Sequence, residues 1–195
     1  MNQELKEIFR KDIEIFAEKI RAFEAGEIDR KTYKSISGGF GSYAQREGGH
    51  MLRLPMAGGR LTKERLRFLA ESVEKYGISR MKLTICQTVQ LHNLSADETV
   101  ELMKNALNAG IVTRGAGGDF PRNAMASPLS GVEQGEYFDV LPYAEMTAEH
   151  LQGLMPTIHL PRKLKVAFSN SPQNKTHATF RDLGFAARED GKFDV

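Results

Sequence analysis

The sequence predicts an α+β fold, and three patterns carry that expectation. Residues 81–94 alternate with period two: Leu83, Ile85, Val89 and Leu91 stand between Lys82, Thr84, Cys86, Thr88, Gln90 and His92. Such alternation marks extended chain with one face on a core and the other face free. Amphipathic stripes at three- and four-residue spacing mark helices on both sides of it. Between residues 50 and 114 the pieces follow the order strand, helix, strand, strand, helix, strand, the split βαβ pattern of ferredoxin-like units.

Residues 3–25 read as a helix that packs Leu5, Ile8, Phe9, Phe16, Ile20 and Phe23 on the body of the protein, with Gly26 as its stop. A short helix is expected over Asp29–Ile36. The stretch GGFGSYAQREGG, residues 38–49, is read as a loop, with Tyr43, Gln45 and Arg46 exposed. HMLRLPM is a strand that carries Arg53, and AGG turns it. Thr62 caps a helix running to Tyr76. Met81–Thr84 and Thr88–Leu94 form a hairpin. Ser95 and Glu98 make a capping box for a helix that ends before Gly110, and Ile111–Thr113 begins a further strand. Residues 114–135 are expected to be irregular, a length that is usually functional or mobile. Pro142–Met155 is expected to be a helix with Thr147 at its cap. LPRKLKVAFSN reads as a strand with Leu164 and Val166 on one side and Lys163 and Lys165 on the other, LGFAARED as a strand and turn, and GKFDV as the start of another strand. The chain stops inside that apolar run, and we expect it to be a fragment of a longer polypeptide.

Composition narrows the classes. A chain of 195 residues with 41% hydrophobic side chains can bury a real core in one large or two small domains. No apolar run approaches the roughly 20 residues of a membrane helix. The N-terminus lacks a basic-then-apolar signal pattern, so the cytoplasm is the default location. One cysteine cannot form an internal disulfide, nor by itself hold a zinc or iron–sulfur centre. A formal charge of +2 is too small to argue for nucleic acid.

Four bases stand out. Arg53, Arg122, Lys163 and Lys165 each have apolar, glycine or proline neighbours, so each is held on a strand or a stiff loop. A poorly solvated cation grips an anion more strongly. Arginine offers a planar fork for oxyanions, and lysine a mobile charge that can also deliver a proton. Taken singly, each reads as a snorkelling surface base. The Lys163/Lys165 pair is harder to dismiss, because like charges two apart on a strand repel unless an anion lies between them.

From about Ala25 to Val195 the chain resembles the N-terminal portion of the ferredoxin-type sulfite and nitrite reductases, which use sirohaem coupled to a 4Fe–4S cluster. GFGSYAQR, MLRLPMAGGRLT, KLTICQTVQLHNL, FPRNAMASPLSG and LPRKLKVAFSN with LGFAAR carry the resemblance, in order. It implies an N-terminal helical segment and Gly-rich loop over residues 1–44, a ferredoxin-like half-domain over 45–114 and the first part of an α/β sirohaem/cluster-binding domain over 115–195. It also implies that Arg53, Arg122, Lys163 and Lys165 grip sulfite or nitrite, and that Lys82, Thr84, Cys86, Gln90 and His92 hold the carboxylate-rich macrocycle. The reaction implied is the six-electron reduction of sulfite to sulfide or nitrite to ammonia, with an electron donor such as ferredoxin. Two departures bear on this. Lysine stands at position 82 and cysteine at position 86 where the family usually has arginine, and the family's cluster cysteines are not among these residues. The chain alone is therefore expected to be inert, and to pair with a second copy through the face its missing half would cover. The alternative is a non-catalytic ferredoxin-like module that binds anions or RNA. Its strands lack the aromatic residues that stack bases, and nucleic acid is disfavoured.

Overall fold

Asn2 opens helix α1 (Gln3–Glu24) by accepting the Leu5 N–H at 2.8 Å. Phe9, Ile13, Phe16, Ala17 and Ile20 then fall on one buried stripe. Asp29 starts α2 (Arg30–Ser37) in the same way, its carboxylate accepting from the Lys31 and Thr32 N–H groups. Strands β1 (Ser42–Ala44) and β2 (His50–Pro55) follow. Next come α3 (Lys63–Lys75), β3 (Met81–Leu83), β4 (Thr88–Leu94) and α4 (Ala96–Asn108). The remainder holds β5 (Met125–Ala126), α5 (Leu141–Leu154), β6 (Val166–Ser169), β7 (Leu183–Ala187) and β8 (Phe193–Asp194). The computed structural model describes all residues, 1–195.

Two sheets result. The first is antiparallel, in the order β1-β2-β4-β3. Its inner face carries Leu52, Leu54, Val89 and Leu91, which join Phe16, Ile20, Leu102 and Met103 from α1 and α4 in the main core. The second sheet has the order β5-β6-β7-β8, parallel from β5 to β7 and antiparallel at β8. Helix α5 covers it through Ala144, against Val166 and Phe168. The fold is thus α+β, with an antiparallel unit followed by a mostly parallel one. No helix is long and apolar enough to cross a membrane.

Several expectations need correction. Ile111–Thr113 is buried but is not a strand. The edge beside β2 is already taken: β1 pairs there with Ser42 opposite Leu52, and the Arg53 N–H donates to Gly41 O at 3.0 Å. Residues 38–49 therefore contain a strand, and Tyr43 is half-buried. Leu83 and Ile85 do not face a core. They are 71% and 88% exposed, because β3 is an edge strand paired with β4 and Ile85 lies in the turn between them. The strand expected over residues 160–170 shrinks to Val166–Ser169. Pro161 has no N–H to give a ladder, and Leu164 makes only one parallel bridge, to Pro121. The segment 114–135, expected to be irregular, contains β5. Thr147 lies inside α5 and caps nothing. Asp139 instead accepts the Leu141 N–H at 2.9 Å, and Pro142 occupies the first turn.

Candidate functional site

The outer face of the first sheet begins the site. Leu52 and Leu54 turn inward, so Arg53 between them turns outward. Gln90 lies directly opposite Arg53 across β2 and β4, and Lys82 lies opposite Gln90 across β3 and β4. Thr84 and Thr88 join their hydroxyls at 2.8 Å where the hairpin turns.

The second wall is the chain before β5 and β6. The Arg122 N–H donates to Leu164 O at 2.8 Å, which brings Arg122 beside Lys163 and Lys165. The lysines flank Leu164, whose side chain packs into the second core. Arg122 Nη2 donates to Gly118 O at 2.6 Å and Nη1 to Ala116 O at 3.2 Å. Arg53 Nη1 reaches the same Ala116 carbonyl at 3.5 Å, and its guanidinium lies 5.0 Å from the centre of the Tyr43 ring.

Between the walls is a cleft of about 210 Å³, lined by Arg53, Thr84, Cys86, Thr88, Gln90, Ala116, Arg122, Asn123, Lys163 and Lys165. No carboxylate lines it. Arg53 Nε and Arg122 Nε are buried and have no partner. Burial pushes the Arg122 guanidinium below its usual pKa; Tyr43 pulls it back in part, Arg53 pushes it further down, and Cys86 and Asp119 pull back less. A guanidinium so placed remains charged. Several cations sharing a cleft with unsatisfied donors and no counter-charge make a site for an oxyanion.

Seven of the nine residues picked from the sequence meet here: Arg53, Arg122, Lys163, Lys165, Thr84, Cys86 and Gln90. Lys82 and His92 do not line the cleft. Lys82 is exposed on the edge strand. His92 is only 8% exposed, with Nδ1 3.5 Å from Arg80 Nη2 and Nε2 buried without a partner. Burial, then the charges of Arg80 and Lys82, push its pKa down. Asn123 was missed. Its neighbour Arg122 drew notice, but an asparagine in a loop gives no signal of the three carbonyls it meets. Tyr43, under Arg53, was read as a loop residue.

Two family models together cover most of the chain. Residues 43–109 match the model of the nitrite/sulfite reductase ferredoxin-like half domain, and residues 117–194 match that of the nitrite and sulphite reductase 4Fe-4S domain. A ferredoxin–nitrite reductase of Leptolyngbya laminosa is 30% identical over 152 residues, 75% of this chain and 30% of that protein. An assimilatory ferredoxin-dependent nitrite reductase of Haloferax mediterranei is 27% identical over 189 residues, 90% of this chain and 32% of that protein. The NirA protein of Mycobacterium tuberculosis superposes with a TM-score of 0.77 at 26% identity, over 96% of this chain and 38% of that one. The chain thus spans about a third of the length of these relatives.

Proposed function

The chain belongs to the nitrite and sulfite reductase family, and from that premise we propose that it forms one wall of an anion-reducing site. The observation that carries the reading is the cleft itself. Arg53, Arg122, Lys163 and Lys165 converge in it from two sheets with no carboxylate among them. Arg53 and Arg122 present forks that suit the oxygens of nitrite or sulfite. Lys163 and Lys165 offset the anion's charge, and their Nζ groups hold protons for the oxygen atoms that leave as water.

Thr84, Cys86 and Gln90 on the hairpin fit the rim of a carboxylate-bearing macrocycle, as donors facing a cleft without acids. Lys82 and His92 extend that donor face beyond the cleft, with the buried His92 Nε2 still lacking a partner. Sirohaem, the macrocycle of the family, would supply the iron for the anion and pass on the donor's electrons when bound. The cleft is smaller than the roughly 300–1,000 Å³ that encloses a drug-sized ligand, so these residues are one side of the cofactor site. The chain holds one cysteine, Cys86. On this reading the four thiolates of a 4Fe–4S cluster would be supplied by polypeptide outside these residues, and the chain alone would be inert. A ferredoxin as electron donor, sulfite beside nitrite as substrate, a cytoplasmic location and pairing of two copies belong to the same proposal.

Anaerobic titration with sirohaem, followed by visible absorbance, tests it. Saturable binding is expected, with loss in an Arg53→Ala/Arg122→Ala/Lys163→Ala variant that keeps its helix content. Binding that ignores those substitutions would overturn the assignment. Reduction of nitrite or sulfite by this chain alone, driven by reduced methyl viologen, would overturn its inertness.

A further inference from the structure

The cleft's lining comes from two sheets that share no strand. Arg53, Thr84, Cys86 and Gln90 belong to the first, and Arg122, Lys163 and Lys165 to the approach to the second. Their spacing depends on whatever joins the sheets.

Two side-chain amides close that seam. Asn123 Nδ2 lies 2.8 Å from Met56 O, 3.0 Å from Cys86 O and 3.0 Å from Gln87 O. It thereby ties the residue beside Arg122 to the chain at Cys86. The amide of Gln87 meets the backbone of Ala126 from both ends. Nε2 donates to Ala126 O at 2.7 Å, and Oε1 accepts the Ala126 N–H at 3.1 Å. That donor–acceptor pair is what a neighbouring strand gives. On its other side β5 pairs with β6, so one side chain of the first sheet takes the place of a strand at the edge of the second.

Local backbone is arranged around this contact. Gln87 holds φ at 55°, a conformation side-chain-bearing residues seldom adopt. Gly59 leaves the amide its room: a Cβ there would sit 2.9 Å from Gln87 Cδ, on a backbone with φ of 74°. The neighbouring Gly58 N–H donates to Ala124 O at 2.9 Å, a third tie across the seam.

We propose that Asn123 and Gln87 are positioning residues of the anion cleft, clamping the hairpin tip to β5 and so fixing the gap between its two basic walls. The inference rests on the reading of the cleft as an anion site. Neither amide need touch the anion. A clamp that slips moves Arg122, Lys163 and Lys165 away from Arg53 and lowers the field they share.

Cys86 is the reporter, since it lies in the cleft and is the only thiol in the chain. Its alkylation by iodoacetate, an anion, is compared with that by neutral iodoacetamide. The ratio of the two rates cancels the thiolate fraction and reads the local potential. In the intact chain the ratio should exceed that of the same chain unfolded in urea by about tenfold. Asn123→Leu keeps the volume and removes the donor. Gln87→Met keeps the length and removes both the donor and the acceptor that meet Ala126, without adding a charge beside Cys86. Both should return the ratio towards the unfolded value at neutral pH, with circular dichroism unchanged. A merely stabilising contact would lower the urea midpoint of the folded variants and leave the ratio raised.

If the intact chain shows the raised ratio and both folded variants keep it, the clamp is overturned while the anion site stands. If the intact chain shows no raised ratio, the functional reading falls and the clamp with it. If one variant does not fold, the other decides alone.

Discussion

His50 is sealed in the core at 1% exposure, between Glu24 Oε1 at 2.8 Å from Nε2 and the Tyr33 hydroxyl at 3.2 Å from Nδ1. With Glu24 ionised, Nε2 donates to the carboxylate and Nδ1 accepts from the hydroxyl, so the neutral ring satisfies both. Burial lowers the His50 pKa, and Glu24 pulls it back only in part. Burial likewise pushes the Tyr33 hydroxyl well above its ordinary value, so it stays a donor. The native state therefore binds fewer protons here than the unfolded chain, whose histidines titrate near ~6.5. The contribution of His50 is fully present above that pH and is lost as pH falls below it. His92, also depressed, acts with the same sign. The urea midpoint should thus drop from pH 7 to 5, and His50→Asn should flatten part of the slope. An unchanged slope in that variant would remove His50 from the account. At this scale the sequence was legible where chemistry is announced by residue type and neighbours, as with the four bases. It was not legible where a neutral amide does the work, because Asn123 and Gln87 take their meaning from carbonyls far away in sequence.

Helix boundaries were legible for a related reason: their signals are local. Ser95 accepts the Glu98 N–H at 3.2 Å and Glu98 returns the bond to the Ser95 N–H at 2.7 Å, the capping box read from the sequence. Ser95→Ala should cost about 1 kcal/mol and lower the thermal midpoint by a few degrees in calorimetry. A shift within error would show α4 to be held by its packing alone. Strands were less legible, because a strand exists only with its partner. Ile111–Thr113 has a strand's composition, yet β1 occupies the edge it would need. Met125–Ala126 sits in a glycine- and proline-rich stretch, yet pairs with β6. The alternation over Met81–Leu94 correctly turned Val89 and Leu91 inward. It failed at Leu83 and Ile85, since period two says which side a residue faces and not whether anything covers that side.

Across the whole molecule, the two units are joined by the clamp at the hairpin and also from behind by α1. That helix lies outside both regions matched to the family models, residues 43–109 and 117–194. It nevertheless supplies Phe9, Ile13, Phe16, Ala17 and Ile20 to the 23-residue main core. Its polar side chains reach further. Asp12 Oδ2 lies 3.2 Å from Arg114 Nε, where the guanidinium is stacked between Phe40 and Phe120 at 4.7 and 4.4 Å. Arg21 faces Asp97 at 3.6 Å, and the N-terminal amine meets Glu149 of α5 at 2.7 Å. The outer pairs are exposed and contribute little, so the apolar stripe carries the attachment. Four large side chains at ~1.5–3 kcal/mol each make it comparable with the ~4–15 kcal/mol that a free peptide gives up on association. Helix α1 leaves the body through the exposed Ala25, Gly26 and Glu27. It is therefore built as a separable part. A chain nicked after Gly26 should keep the peptide through gel filtration at micromolar concentration and return it after dilution from urea. Loss of the peptide from a folded remainder would refute this. Retention would make α1 an exchangeable piece, replaceable in trans by a synthetic helix carrying a spectroscopic label or an altered Asp12, so that the side of the protein behind the cleft could be edited without re-expressing the rest.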